Sequence, residues 1–109
     1  MSNLQCVAND IHATAKSKGF WDDQVDPNFV LAKLALIASE VSEVLEAYRK
    51  EMGAEKIAEE FADILIRTLD LYAGLQEEGI IPVGLDIGSV LNMKMDVNSS
   101  RPIKHGNLI

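Results

Sequence analysis

The sequence predicts an all-α protein, a four-helix bundle built around an antiparallel helical hairpin. Three observations predict it. Apolar residues recur at spacings of three and four along four segments. No segment has convincing strand character. Gly19, Gly53, Gly79 and Pro82 fall between the segments.

The first helix is expected from about Leu4 to Lys18, where Leu4, Val7, Ala8, Ile11 and Ala15 share one side. Lys16 and Lys18 suit its last turn, and Gly19 ends it. The second begins with Asp26 as N-cap and Pro27 at the first helical position, where a missing N–H costs nothing. Val30, Leu31, Leu34, Ile37, Ala38, Val41, Leu45 and Tyr48 form a clean apolar stripe along it, and Gly53 is its expected stop. The third helix is expected from Ala54 to Glu78, with Gly79 ending it. Its stripe is Ile57, Phe61, Ile64, Leu65, Thr68, Tyr72 and Leu75. The short connection around Gly53 makes the second and third helices antiparallel neighbours. Ile80, Ile81 and Pro82 read as a turn. The fourth helix, about Leu85 to Val97, is weaker because Gly84 and Gly88 lower its propensity. Asn98 to Ile109 reads as irregular.

At 109 residues the chain is expected to be one domain, residues 1–109. A helical domain of this size buries a modest core and commonly gains burial by self-association, so a homodimer or homotetramer is expected. The net charge of −7 argues against general affinity for nucleic acid. It leaves open a phosphorylated small molecule bound through metal ions, or a charge that serves only solubility. No apolar run is long enough for a membrane span, and residues Met1 to Asp10 lack the pattern of a signal peptide. A single cysteine, Cys6, cannot form an intrachain disulfide, which fits a cytoplasmic setting.

The residues that draw chemical attention are paired acids. Residues three apart on a helix point about 60° apart. Glu40 and Glu43 therefore converge on one side of the second helix, and Glu60 and Asp63 on one side of the third. In an antiparallel hairpin the two pairs lie roughly opposite each other. Four such charges repel unless cations sit between them, and oxygen-only ligands suit Mg²⁺ or Mn²⁺. The competing reading is a set of solvated faces, with Lys56–Glu60 and Asp63–Arg67 as i,i+4 ion pairs. In favour of a site, Glu40 and Glu43 lie beside Leu36, Val44 and Ala47, a second and partly apolar side. Glu46 and Glu51 look like ordinary solvent charges. A di-iron bundle would need Glu-x-x-His pairs, and His12 and His105 are far from the acids in sequence.

The acid pairs, the segments K-L-A-L-I-A-S-E-V-S-E (Lys33 to Glu43) and E-E-F-A-D-I-L-I-R (Glu59 to Arg67), and the ending K-M-D-V-N-S-S-R-P-I-K-H-G (Lys94 to Gly106) resemble the MazG-like all-alpha nucleoside triphosphate pyrophosphohydrolases. The resemblance covers roughly residues 19 to 106 and one such domain. It implies hydrolysis of a (deoxy)nucleoside triphosphate between its α- and β-phosphates, giving the monophosphate and pyrophosphate, in house-cleaning or nucleotide-pool control. It puts Glu40, Glu43, Glu60 and Asp63 on Mg²⁺, with Glu43 also a candidate to accept the water proton. No Ser, Cys or Thr with a paired base is evident, which favours direct attack by water.

The remaining phosphate charge calls for donors. Lys94 and Arg101 are the best placed by type, with Asn98 four residues after Lys94. In related small bundles a second subunit often completes the site, so Lys94 and Arg101 can act in cis or in trans. Trp21 is either a stacking surface for a base or a hydrophobic plug over the bundle end. Lys33 shares the side of Glu40 and is either a phosphate contact or an ion-pair partner. Arg67 and Asp70 extend the acidic side of the third helix as support, His105 reads as a surface residue, and Met93 and Met95 as core or interface filling. The rival function is a non-catalytic nucleotide-binding or regulatory module that presents an apolar helix side to a partner helix. A phosphatase, releasing orthophosphate, is a third class.

Overall fold

The computed structural model describes residues 1–103. It contains four helices, α1 (Asn3–Ser17), α2 (Pro27–Arg49), α3 (Ala54–Glu77) and α4 (Ile87–Ser99), and no strand among the described residues. α2 packs along α3, α1 packs along α3, and α4 touches α1 less extensively. The protein is all-α.

The starts follow local chemistry. Ser2 accepts from the Gln5 N–H at the head of α1, and Asp26 accepts from the Phe29 N–H at the head of α2, with Pro27 in the first turn. Asp86 accepts from the N–H groups of Gly88 and Ser89, so α4 begins at Ile87 rather than at Leu85. Gly19 and Gly79 follow α1 and α3 with left-handed φ of 88° and 77°. α2 ends at Arg49, short of Gly53. The left-handed residue after it is Glu51, at φ 51°, while Gly53, at φ 98°, is the N-cap of α3. Gly53 thus serves the start of the next helix rather than the end of the one before.

The core is small and lies between α1 and α3. Ala8, Leu69 and Ala73 are buried, and Leu4, Ile11 and Ile87 pack around them. Small residues at this seam bring the helices close. Trp21 closes the end of the seam by lying on the α3 backbone at Gly74, where a Cβ would stand 2.1 Å from the indole Cη2.

The hairpin is different. The side of α2 turned inward carries Phe29, Lys33, Ile37, Glu40, Val44 and Ala47, all buried or half-buried. The apolar stripe of the sequence points mostly outward: Leu31, Leu34, Val41, Leu45 and Tyr48 are exposed, as are Phe61 and Leu65 on α3. Leu31, Leu34, Ala38, Val41, Leu45 and Tyr48 alternate steps of three and four, the spacing of a helix–helix seam. The accessible surface is 7874 Å². A compact monomer of 12.0 kDa would expose about 6,000 Å².

Candidate functional site

The inward side of α2 meets α3 at a group of acids. One carboxylate oxygen from each of Glu40, Glu60 and Asp63 lies within 4.8 Å of the others. Glu60 is 6% exposed, Glu40 is half-buried and Asp63 is exposed. Helical spacing puts Glu60 and Asp63 one turn apart on α3, and packing of α2 brings in Glu40. Glu43 is exposed and stands outside this group. Three of the four expected ligands therefore converge.

Two cations partner these acids. Lys56 Nζ donates to Glu60 at 2.9 Å, and this hydrogen bond raises the lysine above its ordinary range. Arg67 Nε donates to Glu40 at 2.7 Å, from α3 to α2. The i,i+4 alternative is thus met for Lys56–Glu60, whereas Arg67 crosses to the other helix rather than pairing with Asp63. The donor set is all oxygen, partly desolvated and three-sided, which fits a hard divalent cation; Lys56 and Arg67 are the groups such an ion would displace.

Glu40 and Asp63 open onto a cleft of about 710 Å³ between α1, α2 and α3, within the usual size range of small-molecule sites. Its walls include Thr14, Lys18 and Phe20 as well as Lys33, Glu40 and Asp63. Lys33 donates to the Phe20 carbonyl at 3.1 Å, and its ammonium stands 5.0 Å from the Trp21 ring centroid and 5.2 Å from that of Phe29. It faces the same space as Glu40, without an ion-pair partner among the described residues.

Trp21 takes the plug position. Its ring packs edge-on to His12 at 4.7 Å between centroids and against Phe29 at 5.2 Å, and its Nε1 donates to Asp70. The aromatic ring that lines the cleft is Phe20, 64% exposed. Lys94, Asn98 and Arg101 do not line the cleft. Lys94 is exposed on α4, Asn98 is half-buried with an unpartnered Oδ1, and Arg101 follows the end of α4. His105 lies outside the described residues.

Sequence reasoning missed the α1 contribution. Asp10, Thr14 and Lys18 line the cleft, and their spacing of four is a polar stripe visible in the sequence. It also missed a buried network behind the cleft. His12, 6% exposed, has Nδ1 2.8 Å from Asp70 and Nε2 2.7 Å from Glu77. Hydrogen bonds from Lys16 and then His12 hold Glu77 below the usual carboxylate range. A separation of 58 residues between His12 and Asp70 hides that contact from any local pattern.

Compared with protein-family models, with curated proteins and with solved structures, the chain matches none. No helix among the described residues is long and apolar enough to cross a membrane.

Proposed function

We propose that this protein is a nucleoside triphosphate pyrophosphohydrolase of the MazG-like, all-alpha type, a four-helix bundle built on the α2–α3 hairpin and working in the cytoplasm. The observation that carries the reading is the convergence of Glu40, Glu60 and Asp63, of which Glu40 and Asp63 line a cleft that also presents Lys33 and Lys18. Acids alone would repel a triphosphate. Acids that can hold Mg²⁺ or Mn²⁺, with lysines beside them, offer positive charge on two sides of a phosphate chain. A bound divalent ion supplies neutralisation of the phosphate oxygens and orientation of the attacking water.

The chain's own groups have separable tasks. Glu40, Glu60 and Asp63 hold the ion, and Lys33 and Lys18 contact phosphate oxygens. Glu43, one turn beyond Glu40, is exposed and lines neither the triad nor the cleft, so its role as acceptor of the water proton rests on the resemblance alone. Water adds to phosphorus, the bond between the α- and β-phosphates breaks, and pyrophosphate leaves with the bridging oxygen. The outward stripe of α2 and α3 supports the expected self-association, because its exposed leucines repeat at the spacing of a helix–helix seam. Lys94, Asn98 and Arg101 do not line the cleft, so a phosphate role for them, in cis or in trans, rests on the resemblance alone.

The test is pyrophosphate release from nucleoside triphosphates with Mg²⁺. Glu60→Gln and Asp63→Asn are expected to abolish it while circular dichroism stays helical. Full activity in either variant would remove the metal assignment, and orthophosphate as the product would point to a phosphatase. The same stripe also suits the regulatory-module alternative, which predicts nucleotide binding or partner capture without pyrophosphate.

A further inference from the structure

Asp70 does more in this fold than tie α1 to α3. It is 8% exposed and lines the cleft together with Glu40 and Asp63. It follows Asp63 by seven residues on α3, two turns along nearly the same side and about 10 Å along the axis. That separation suits a nucleotide whose phosphates lie at the acids and whose base lies further up the cleft. The apolar surfaces of Ile11, Phe20 and Ile66 flank this upper part.

The carboxylate is held from behind. His12 Nδ1 lies 2.8 Å from Oδ1, and Trp21 Nε1 lies 3.0 Å from Oδ1 and 3.1 Å from Oδ2. An ionised carboxylate has about four acceptor positions. Oδ1 serves two donors, whereas Oδ2 receives only the shared indole N–H and keeps acceptor capacity. A carboxylate held by the indole N–H and the His12 ring, at the wall of a cleft, is preorganised to select among ligands.

We infer that Asp70 is a specificity-determining residue that accepts a hydrogen bond from the exocyclic amino group of a base lying along Phe20, so that the cleft favours cytosine and adenine nucleotides over uracil and hypoxanthine ones. The inference rests on the proposed nucleotide reading. An amino group donates to Oδ2. The carbonyl that replaces it in uracil or hypoxanthine sets oxygen against oxygen in a half-buried place and leaves both unsatisfied.

The test is calorimetric binding of two matched pairs, CMP against UMP and AMP against IMP, with Mg²⁺. It is run on the whole protein and on Asp70→Asn, beside the pyrophosphate assay. Within each pair the ligands differ chiefly at the amino or carbonyl position. The wild type is expected to bind CMP and AMP roughly tenfold or more tightly than their partners. Asp70→Asn keeps an oxygen for His12 and the nearer indole contact, gives up the 3.1 Å indole contact at Oδ2 and puts an amide N–H there, so it should narrow or reverse the ranking. A purely structural Asp70 would change melting temperature and leave the ranking alone. Equal binding within both pairs, no binding of any of the four, or an unchanged ranking in Asp70→Asn overturns the inference. Ranked binding without pyrophosphate release would remove the hydrolase reading and keep the role of Asp70; release with unranked binding would do the reverse.

Discussion

The seam between α1 and α3 and the outer side of the α2–α3 hairpin are built on opposite plans. At the seam, small side chains close the gap and every named polar group has a partner: Gln5 with Gln76, His12 with Asp70 and Glu77, Trp21 with Asp70. The hairpin places acids and lysines inward and leucines outward. A satisfied polar network in a tight seam rigidifies the helices that carry it. An apolar stripe left open leaves surface to be covered. The difference teaches that the single chain is finished on one side and unfinished on the other, with the candidate cleft between the two.

Charging the open side should have the largest effect. Leu45 and Leu65 are exposed within the chain, at 53% and 60%, so Leu45→Asp with Leu65→Asp spares the buried core. Light scattering coupled to gel filtration should show the wild type at twice 12.0 kDa or more and the variant at 12.0 kDa. A wild type that already runs as a single chain would end the proposed role of the stripe.

Disturbing the closed side should cost stability instead. Gly74→Ala drives a methyl group into the Trp21 ring, which is wedged against His12 and Phe29. The expected loss is about 1–3 kcal/mol in urea unfolding, with the oligomeric state unchanged. A neutral result would mean that the indole does not lie on the helix backbone.

The smallest effect is a pH dependence of that seam and of the contact between the starts of α1 and α4. Hydrogen bonds from Ser2, side chain and backbone, hold Asp86 at about 2 against an ordinary 3.8, and Lys16 and His12 hold Glu77 below 4.5. Both carboxyls are depressed in the folded state, so their contribution is complete above those ordinary values and fades as pH falls toward about 2. Melting temperature should therefore decline below about pH 4.5. Asp86→Asn should flatten the lower part of that decline. A variant profile parallel to the wild type would show that the Ser2–Asp86 contact adds nothing.

By itself the sequence determined the elements and half of the site. Apolar spacing, Asp26–Pro27, Gly19 and Gly79 are local signals, and they set four helices with ends close to those observed, because capping and propensity act over a few residues. Pairs three apart, such as Glu60 and Asp63, share a side for the same reason. Tertiary structure alone decided which side of α2 turns inward: two partly apolar sides compete, and the one bearing Lys33 and Glu40 packs on α3 while the leucine stripe stays open. It also decided that Arg67 reaches Glu40, that Trp21 is a plug and Phe20 the ring facing the cleft, and that His12 meets Asp70. Those contacts join residues far apart in the chain, and their geometry follows from how whole helices pack rather than from any spacing along one of them.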